Sequence, residues 1–318
     1  MRRLSSLCSV LTLSFILSAQ TPPAPPAQDD TPTFKANTNL VVLHATVADK
    51  SGKLITNLPE SAFHVFENGA EQPIHLFRRE DVPVSMGIII DNSGSMRDKR
   101  SKVAAASMAL VKASNPDDEV FIVNFNDDAY LDQPFTSDSK KLEEALDKID
   151  AKGGTAMRDA ISMSVDYLKD SGKRDKKVLL VVTDGNDNTS NESLEQLVRK
   201  ARQSEVLVYS IGLLNEEEPR EAGKAKRALK ALAEASGGNV YYPKDLADID
   251  RITPQVAHEI RNQYIIGYLP TNANLDGTFR KVNVMVKGPG APTVRTRNGY
   301  YATPAAPAKP GGSNLAKQ

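Results

Sequence analysis

Four short apolar runs constrain the fold of this chain more than anything else in it. They are Met86-Gly87-Ile88-Ile89-Ile90, Val120-Phe121-Ile122-Val123, Val178-Leu179-Leu180-Val181-Val182 and Val206-Leu207-Val208-Tyr209. None alternates with polar residues. A strand with one wet face alternates; an unbroken apolar run this short suits a strand covered on both faces, as in a parallel sheet. Amphipathic segments lie between the runs. Met157, Ile161, Val165 and Leu168 share one helical face, and Leu194, Leu197, Val198 and Ala201 share another. Thr253-Pro254 reads as an N-cap followed by proline at the first helical position. Strand and helix alternating in this way predict a doubly wound, mostly parallel α/β sheet, Rossmann-like in architecture.

The flanks read differently. Leu40 to Val47 is β-rich, and Asp49-Lys50-Ser51-Gly52 is a turn. Phe63-His64-Val65-Phe66 runs into Asn68-Gly69, a strong hairpin signal, with Ile74-His75-Leu76-Phe77 as the expected return strand. After Asn262 strands resume: Tyr264 to Tyr268, then Phe279 to Lys287 with Val282, Val284 and Val286 on one side. Each flank is too small for a good core alone. The N- and C-terminal strands are therefore expected to form one small β-sandwich-like domain, into which the α/β unit is inserted. The expected divisions are a leader at 1–19, a Pro-rich linker at 20–33, β-domain strands at 34–82 and 263–302, the α/β domain at 83–262, and a disordered Pro/Gly/Ala-rich tail at 303–318.

Arg2 and Arg3, the apolar stretch Leu4 to Leu17 and the small residues Ser18-Ala19 read as a secretory signal, which points to a secreted or periplasmic protein with no stable membrane span once it is removed. The single cysteine, Cys8, precedes most of that apolar stretch, which is the wrong place for lipid attachment. The remainder has no cysteine, so core packing must hold it together without disulfides. The charges balance, with 40 basic and 40 acidic residues, and no basic patch with interleaved aromatics is visible, which argues against nucleic acid as a partner.

The chemistry concentrates in Asp91-Asn92-Ser93-Gly94-Ser95, directly after the first apolar run. This places a carboxylate and two hydroxyls at the carboxyl end of a buried strand, where open α/β sheets bind ligands. Hard oxygen donors of this type suit Mg²⁺. Gly153-Gly154-Thr155 precedes one helical segment and Thr183-Asp184-Gly185 follows another buried strand, so all three segments fall on one edge of the sheet.

Together the three segments resemble the von Willebrand factor type A domain and its metal-ion-dependent adhesion site, over roughly Val84 to Asn262. Leu58-Pro59, Phe66-Glu67-Asn68-Gly69 and Gly299-Tyr300-Tyr301 extend the resemblance to a related domain family of secreted acidobacterial proteins. The resemblance implies that Ser93, Ser95 and Thr155 coordinate Mg²⁺ (or Mn²⁺ or Ca²⁺), with Asp91 and Asp184 close by and Asp159 in support. It also implies a protein ligand that offers an exposed Asp or Glu, and a binding or adhesion role rather than catalysis. Two other functions stay open: metal-assisted hydrolysis at the same ion, and a structural part in envelope assembly.

Other motifs carry less. Asp184 to Glu195 has calcium-loop spacing, but Thr189 stands where an EF-hand needs Gly, so the loop reads as a cap for the next helix. Ser93 replaces the second aspartate that a haloacid-dehalogenase-like phosphatase requires. Neither Ser93 nor Ser95 sits in Gly-x-Ser-x-Gly. His44, His64, His75 and His258 read as structural.

Overall fold

The computed structural model describes residues 40–304 apart from 80, 114, 148–150, 215–217 and 289. The expected leader, the Pro-rich linker and all but the start of the tail lie outside the described residues. Four strands come first: β1 (Val41–Ala48), β2 (Phe63–Glu67), β3 (Ala70–Gln72) and β4 (Ile74–Arg78). The α/β segment follows as β5 (Val84–Asp91), α1 (Arg100–Ala113), β6 (Glu119–Phe125), β7 (Ala129–Thr136), α2 (Ser139–Asp147), α3 (Met157–Ser171), β8 (Lys176–Thr183), α4 (Leu194–Ser204), β9 (Leu207–Gly212), α5 (Pro219–Ser236), β10 (Val240–Tyr241) and α6 (Asp248–Arg261). The chain closes with β11 (Tyr264–Tyr268), β12 (Phe279–Val286), β13 (Thr293–Arg295) and β14 (Gly299–Tyr301).

The central sheet has the order β10-β9-β8-β5-β6-β7 and is parallel except at β7. Every residue of β5 is buried, which is why its sequence does not alternate. Met86, Ile88 and Ile90 join an apolar cluster with Val103 of α1, Leu142 of α2 and Ile252, Val256 and Ile260 of α6. Ile89 points the other way, into a cluster with Met157, Ile161 and Val165 of α3, Leu197 of α4 and Leu229 of α5. The sheet is thus wound on both faces. From β5 the chain passes to β6 on one side and later to β8 on the other, so the strand order reverses at β5 and opens a crevice at its carboxyl end.

The flanking strands build two antiparallel sheets, β13-β1-β11-β4 and β14-β12-β2-β3, and both combine strands from the two ends of the chain. Val41 pairs with Tyr268, and Val65 with Val284. Leu43, Val47, Phe63, Val65, Tyr264, Ile266 and Val284 share one core between them. Near one edge of this core sits a buried ion pair, Arg280 with Glu67 at 3.0 Å.

Two expectations need correction. Asn68 (φ 49°) and Gly69 (φ 88°) do make the hairpin turn, but the return strand is Ala70–Gln72, not Ile74–Phe77. Pro73 has no N–H to continue the ladder, and after it β4 crosses into the other sheet to pair with β11. Thr253-Pro254 does not start a helix; α6 begins at Asp248 and carries Pro254 inside it. The start is set upstream, where the Asp248 N–H donates to Asp245 Oδ1 at 3.0 Å. Asp248 and Asp250 in the first turn favour that end of the dipole. The Thr253 hydroxyl donates back to Ile249 O at 2.9 Å, and burial of Ile249, Ile252, Val256 and Ile260 holds the helix through the proline.

Close packing at the end of α5 gives a direct test. A Cβ on Gly238 would lie 2.5 Å from the Val208 carbonyl carbon and would overlap its oxygen. Backbone atoms cannot swing aside as a side chain can. Gly238→Ala is therefore expected to cost roughly 2–4 kcal/mol, read as a lowered midpoint in urea unfolding. An unchanged midpoint would contradict this approach of the segment to β9.

Candidate metal centre

Asp91 ends β5 and Thr183 ends β8, side by side at the switch point. The Thr183 hydroxyl donates to Asp91 Oδ2 at 2.6 Å, bridging the crevice. The chain then turns sharply. The Ser93 N–H donates to Asp91 Oδ1 at 2.9 Å, and Gly94–Met96 forms a 3-10 turn held down by Met96, which is fully buried. This turn brings Ser93 Oγ within 3.1 Å of Ser95 Oγ, and the Ser95 hydroxyl donates to Asp184 Oδ1 at 2.8 Å. Asp91, Ser93, Ser95 and Asp184 therefore form one connected set of oxygens.

Thr155 approaches from the third segment. Its N–H donates to Asn188 Oδ1 at 2.9 Å, and the Gly94 N–H donates to Gly153 O at 3.3 Å, tying the loops together. Gly153 has φ +79°, a conformation that favours glycine, and a Cβ on Gly154 would press on Thr189 Cγ2 at 2.7 Å and on Asp127 Oδ1 at 2.8 Å, which accepts the Gly154 N–H. Thr155, Ser95 and Asp184 line one cavity of 350 Å³ together with Lys99, Asn186, Glu218 and Glu221. Asp159 stands apart from this set. Its carboxylate accepts the N–H groups of Asn191 and Glu192, both at 2.9 Å, and so pins the loop before α4. That loop ends in a capping box between Ser193 and Gln196, as a helix cap rather than a calcium loop.

The electrostatics are uneven. Burial pushes the Asp91 carboxyl up to about 6, against the bonds from Ser93 and Thr183, and the Asp184 charge pushes in the same direction as burial. One cation already answers part of this: the Lys99 ammonium pairs with Asp184 Oδ2. Lys99 and Asp127 were not legible as parts of the site, and Thr183, though it opens the Thr-Asp-Gly segment, was not legible as the partner of Asp91. Lys99 follows Ser95 by four residues with no marker beyond its charge, and Thr183 matters only because β8 runs beside β5.

The oxygens present fit a hard divalent ion. Two carboxylates and three hydroxyls are brought to one place, and one carboxylate is buried without a full counter-charge, a deficit that a bound cation offsets. Among the described residues no group of three or more His, Cys, Asp or Glu side chains is placed to hold a metal. Any ion here would thus depend on hydroxyls for part of its shell.

The family model of the von Willebrand factor type A domain matches residues 86–255. A protein of uncharacterized function from Borreliella burgdorferi is 26% identical over 223 residues, covering 67% of this chain and 63% of that protein. The voltage-dependent calcium channel subunit alpha-2/delta-3 of Rattus norvegicus is 24% identical over 216 residues, covering 62% of this chain and 19% of the subunit. The chain thus spans less than two thirds of either relative. Among solved structures, a von Willebrand factor type A protein from Catenulispora acidiphila aligns with a TM-score of 0.48 at 15% identity, covering 72% of this chain and 73% of that one.

Proposed function

The chain belongs to the von Willebrand factor type A family, and from that membership we propose that it is an exported protein that binds another protein through a divalent ion, Mg²⁺ in the first instance. Ser93, Ser95 and Thr155 would hold the ion, with Asp91 and Asp184 beside them. The observation that carries this reading is the unbroken run of contacts from Thr183 through Asp91, Ser93 and Ser95 to Asp184, at the switch point of the sheet. Bound there, the ion would supply a Lewis-acidic point to which an Asp or Glu of the partner can attach. The protein's own residues set the stage. Thr183 orients Asp91, Met96 fixes the serine turn, and Asn188 positions Thr155. Among the described residues no helix is long and apolar enough to cross a membrane.

Glu221, on the cavity rim, bears on the hydrolytic alternative. Its bonds to Lys224 at 2.8 Å and Asn186 at 2.9 Å hold its carboxyl below the ordinary range, Lys224 first. A carboxylate already engaged by Lys224 and Asn186 is poorly placed to take a proton from a bound water. Binding, not hydrolysis, is the better reading of the cavity.

Lys99 must release Asp184 for that carboxylate to serve the ion. Lys99→Met is expected to strengthen Mg²⁺ binding about fivefold, the equivalent of ~1 kcal/mol for one partly exposed ion pair. Calorimetric titration reads this; unchanged or weaker binding would remove Lys99 as a competitor. The function itself is tested by capture from bacterial envelope extract on the immobilised chain. A protein retained with Mg²⁺ and lost both in EDTA and on Asp184→Asn supports the reading. A partner retained equally in EDTA contradicts it.

A further inference from the structure

A second cavity lies at the other end of the central sheet, away from the serine turn. It has a volume of 660 Å³, within the range of small-molecule sites, about 300–1,000 Å³. Its walls come from both parts of the fold. Val42 of β1, Leu76 of β4 and Ile265 of β11 face Pro83 and Leu207, at the starting ends of the parallel strands. Those residues give it an apolar body.

Its charge is one-sided. Six cationic side chains line it, Arg78, Lys173, Arg174, Lys176, Lys177 and Arg297, against the carboxylates of Asp175 and Glu205. Some of this charge belongs to the fold. Helices α3, α4 and α5 end at this edge, and cations near helix C-termini are favourable. Lys177 donates to Arg174 O at 2.9 Å, and Lys176 donates to Ile260 O. Arg297 lies 3.6 Å from Glu205. The other three are not used in this way. Among the described residues the side chains of Arg78, Lys173 and Arg174 make no ion pair, and Arg174 Nε is buried without a hydrogen-bond partner. Arg297 is only 7% exposed, and its Nε also lacks a partner. A buried guanidinium N–H with nothing to donate to is costly, and although Arg100, Arg158, Arg202 and Arg295 share this feature, Arg174 and Arg297 line one cavity with four further cations. His44 Nδ1, on the same wall, is unpartnered too. Burial, then the charges of Lys176 and Arg297, push that imidazole down to about 3, so it adds no further charge while remaining a neutral donor or acceptor.

We propose that this cavity binds an organic anion, with a phosphate or carboxylate group held by Arg174 and Arg297 and an apolar body against Val42, Leu76 and Ile265. Guanidinium groups suit both headgroups, because each presents paired N–H donors to paired oxygens. The apolar walls favour an organic ligand over a bare inorganic ion. The site is separate from the metal centre and does not depend on it.

The test is calorimetric titration of the full chain in EDTA with phenyl phosphate, octanoate and inorganic phosphate. Saturable one-site binding of phenyl phosphate or octanoate is expected, at least ten times tighter than inorganic phosphate and weakened by salt. The double variant Lys173→Glu/Arg174→Glu, at exposed and half-buried positions, should weaken binding at least tenfold. Arg297→Gln should do the same, and if that variant fails to fold the double variant decides. The proposal is overturned if neither organic anion saturates, if inorganic phosphate binds equally well, or if the double charge reversal leaves the affinity unchanged.

Discussion

Glu67→Ala is expected to destabilise the protein by about 3–5 kcal/mol, because it strands a buried arginine. Arg280 is 1% exposed and Glu67 is 3% exposed. The guanidinium donates three hydrogen bonds, to Glu67 Oε1 at 3.0 Å, Asn272 O at 3.1 Å and Asn274 O at 2.6 Å, with the half-exposed Asp276 carboxylate further off at 3.8 Å. Glu67 Oε2 in turn accepts the hydroxyls of Tyr268 at 2.9 Å and Tyr300 at 2.7 Å. One carboxylate thus joins β2, β11, β12 and β14, strands from both ends of the chain. Removing it leaves a buried positive charge, and one buried and one half-buried phenol without their acceptor. The loss should lower the melting temperature by roughly 10 °C for a chain of this size. The double variant Glu67→Leu/Arg280→Met removes both charges and should recover part of that loss. If the single variant melts like the parent, the two ends of the chain are not locked together by this pair.

The second large effect is on the response to metal. Saturating Mg²⁺, at about a hundred times its dissociation constant, should stabilise the protein by about 2.7 kcal/mol. This corresponds to a rise of roughly 5–10 °C in melting temperature over the EDTA-treated protein. Asp91→Asn should abolish the rise. It should also melt no lower than the parent in EDTA, since Asp91 is buried, and burial and the Asp184 charge both oppose its ionisation. The amide keeps the shape and removes the charge. That pairing of outcomes separates a metal ligand from a residue needed only for folding, whose loss would lower the melting temperature with or without metal. A parent protein with the same melting temperature in Mg²⁺ and EDTA would count against the site.

The central sheet was legible because its burial is written in local sequence. The runs at β5, β6, β8 and β9 lack polar residues since both faces are covered, and α3 shows its apolar stripe at helical spacing. The oxygens of the candidate site were legible for a related reason, since each sits just past such a run or before such a helix. What escaped was set by distant contacts. Strand β7 is largely exposed and antiparallel at the sheet edge, so no apolar run marks it. Arg280 looks like one more polar position in an alternating strand; only its partner, 213 residues away, shows why it is buried. The start of α6 was misplaced because Thr-Pro is a strong local signal, which the packing of Ile249 and Ile252 overrides. Lys99 at the candidate site and the cationic cavity at the opposite edge also depend on which loops the sheet brings together.

The most direct measurement is diffraction from crystals grown with Mn²⁺, recorded at the manganese absorption edge. A divalent-ion site here predicts one anomalous peak bounded by Ser93, Ser95 and Thr155, with Asp91 and Asp184 alongside and Lys99 turned away from Asp184. Saturating manganese with no peak at that place, and with the Lys99 ammonium still on Asp184, would contradict it.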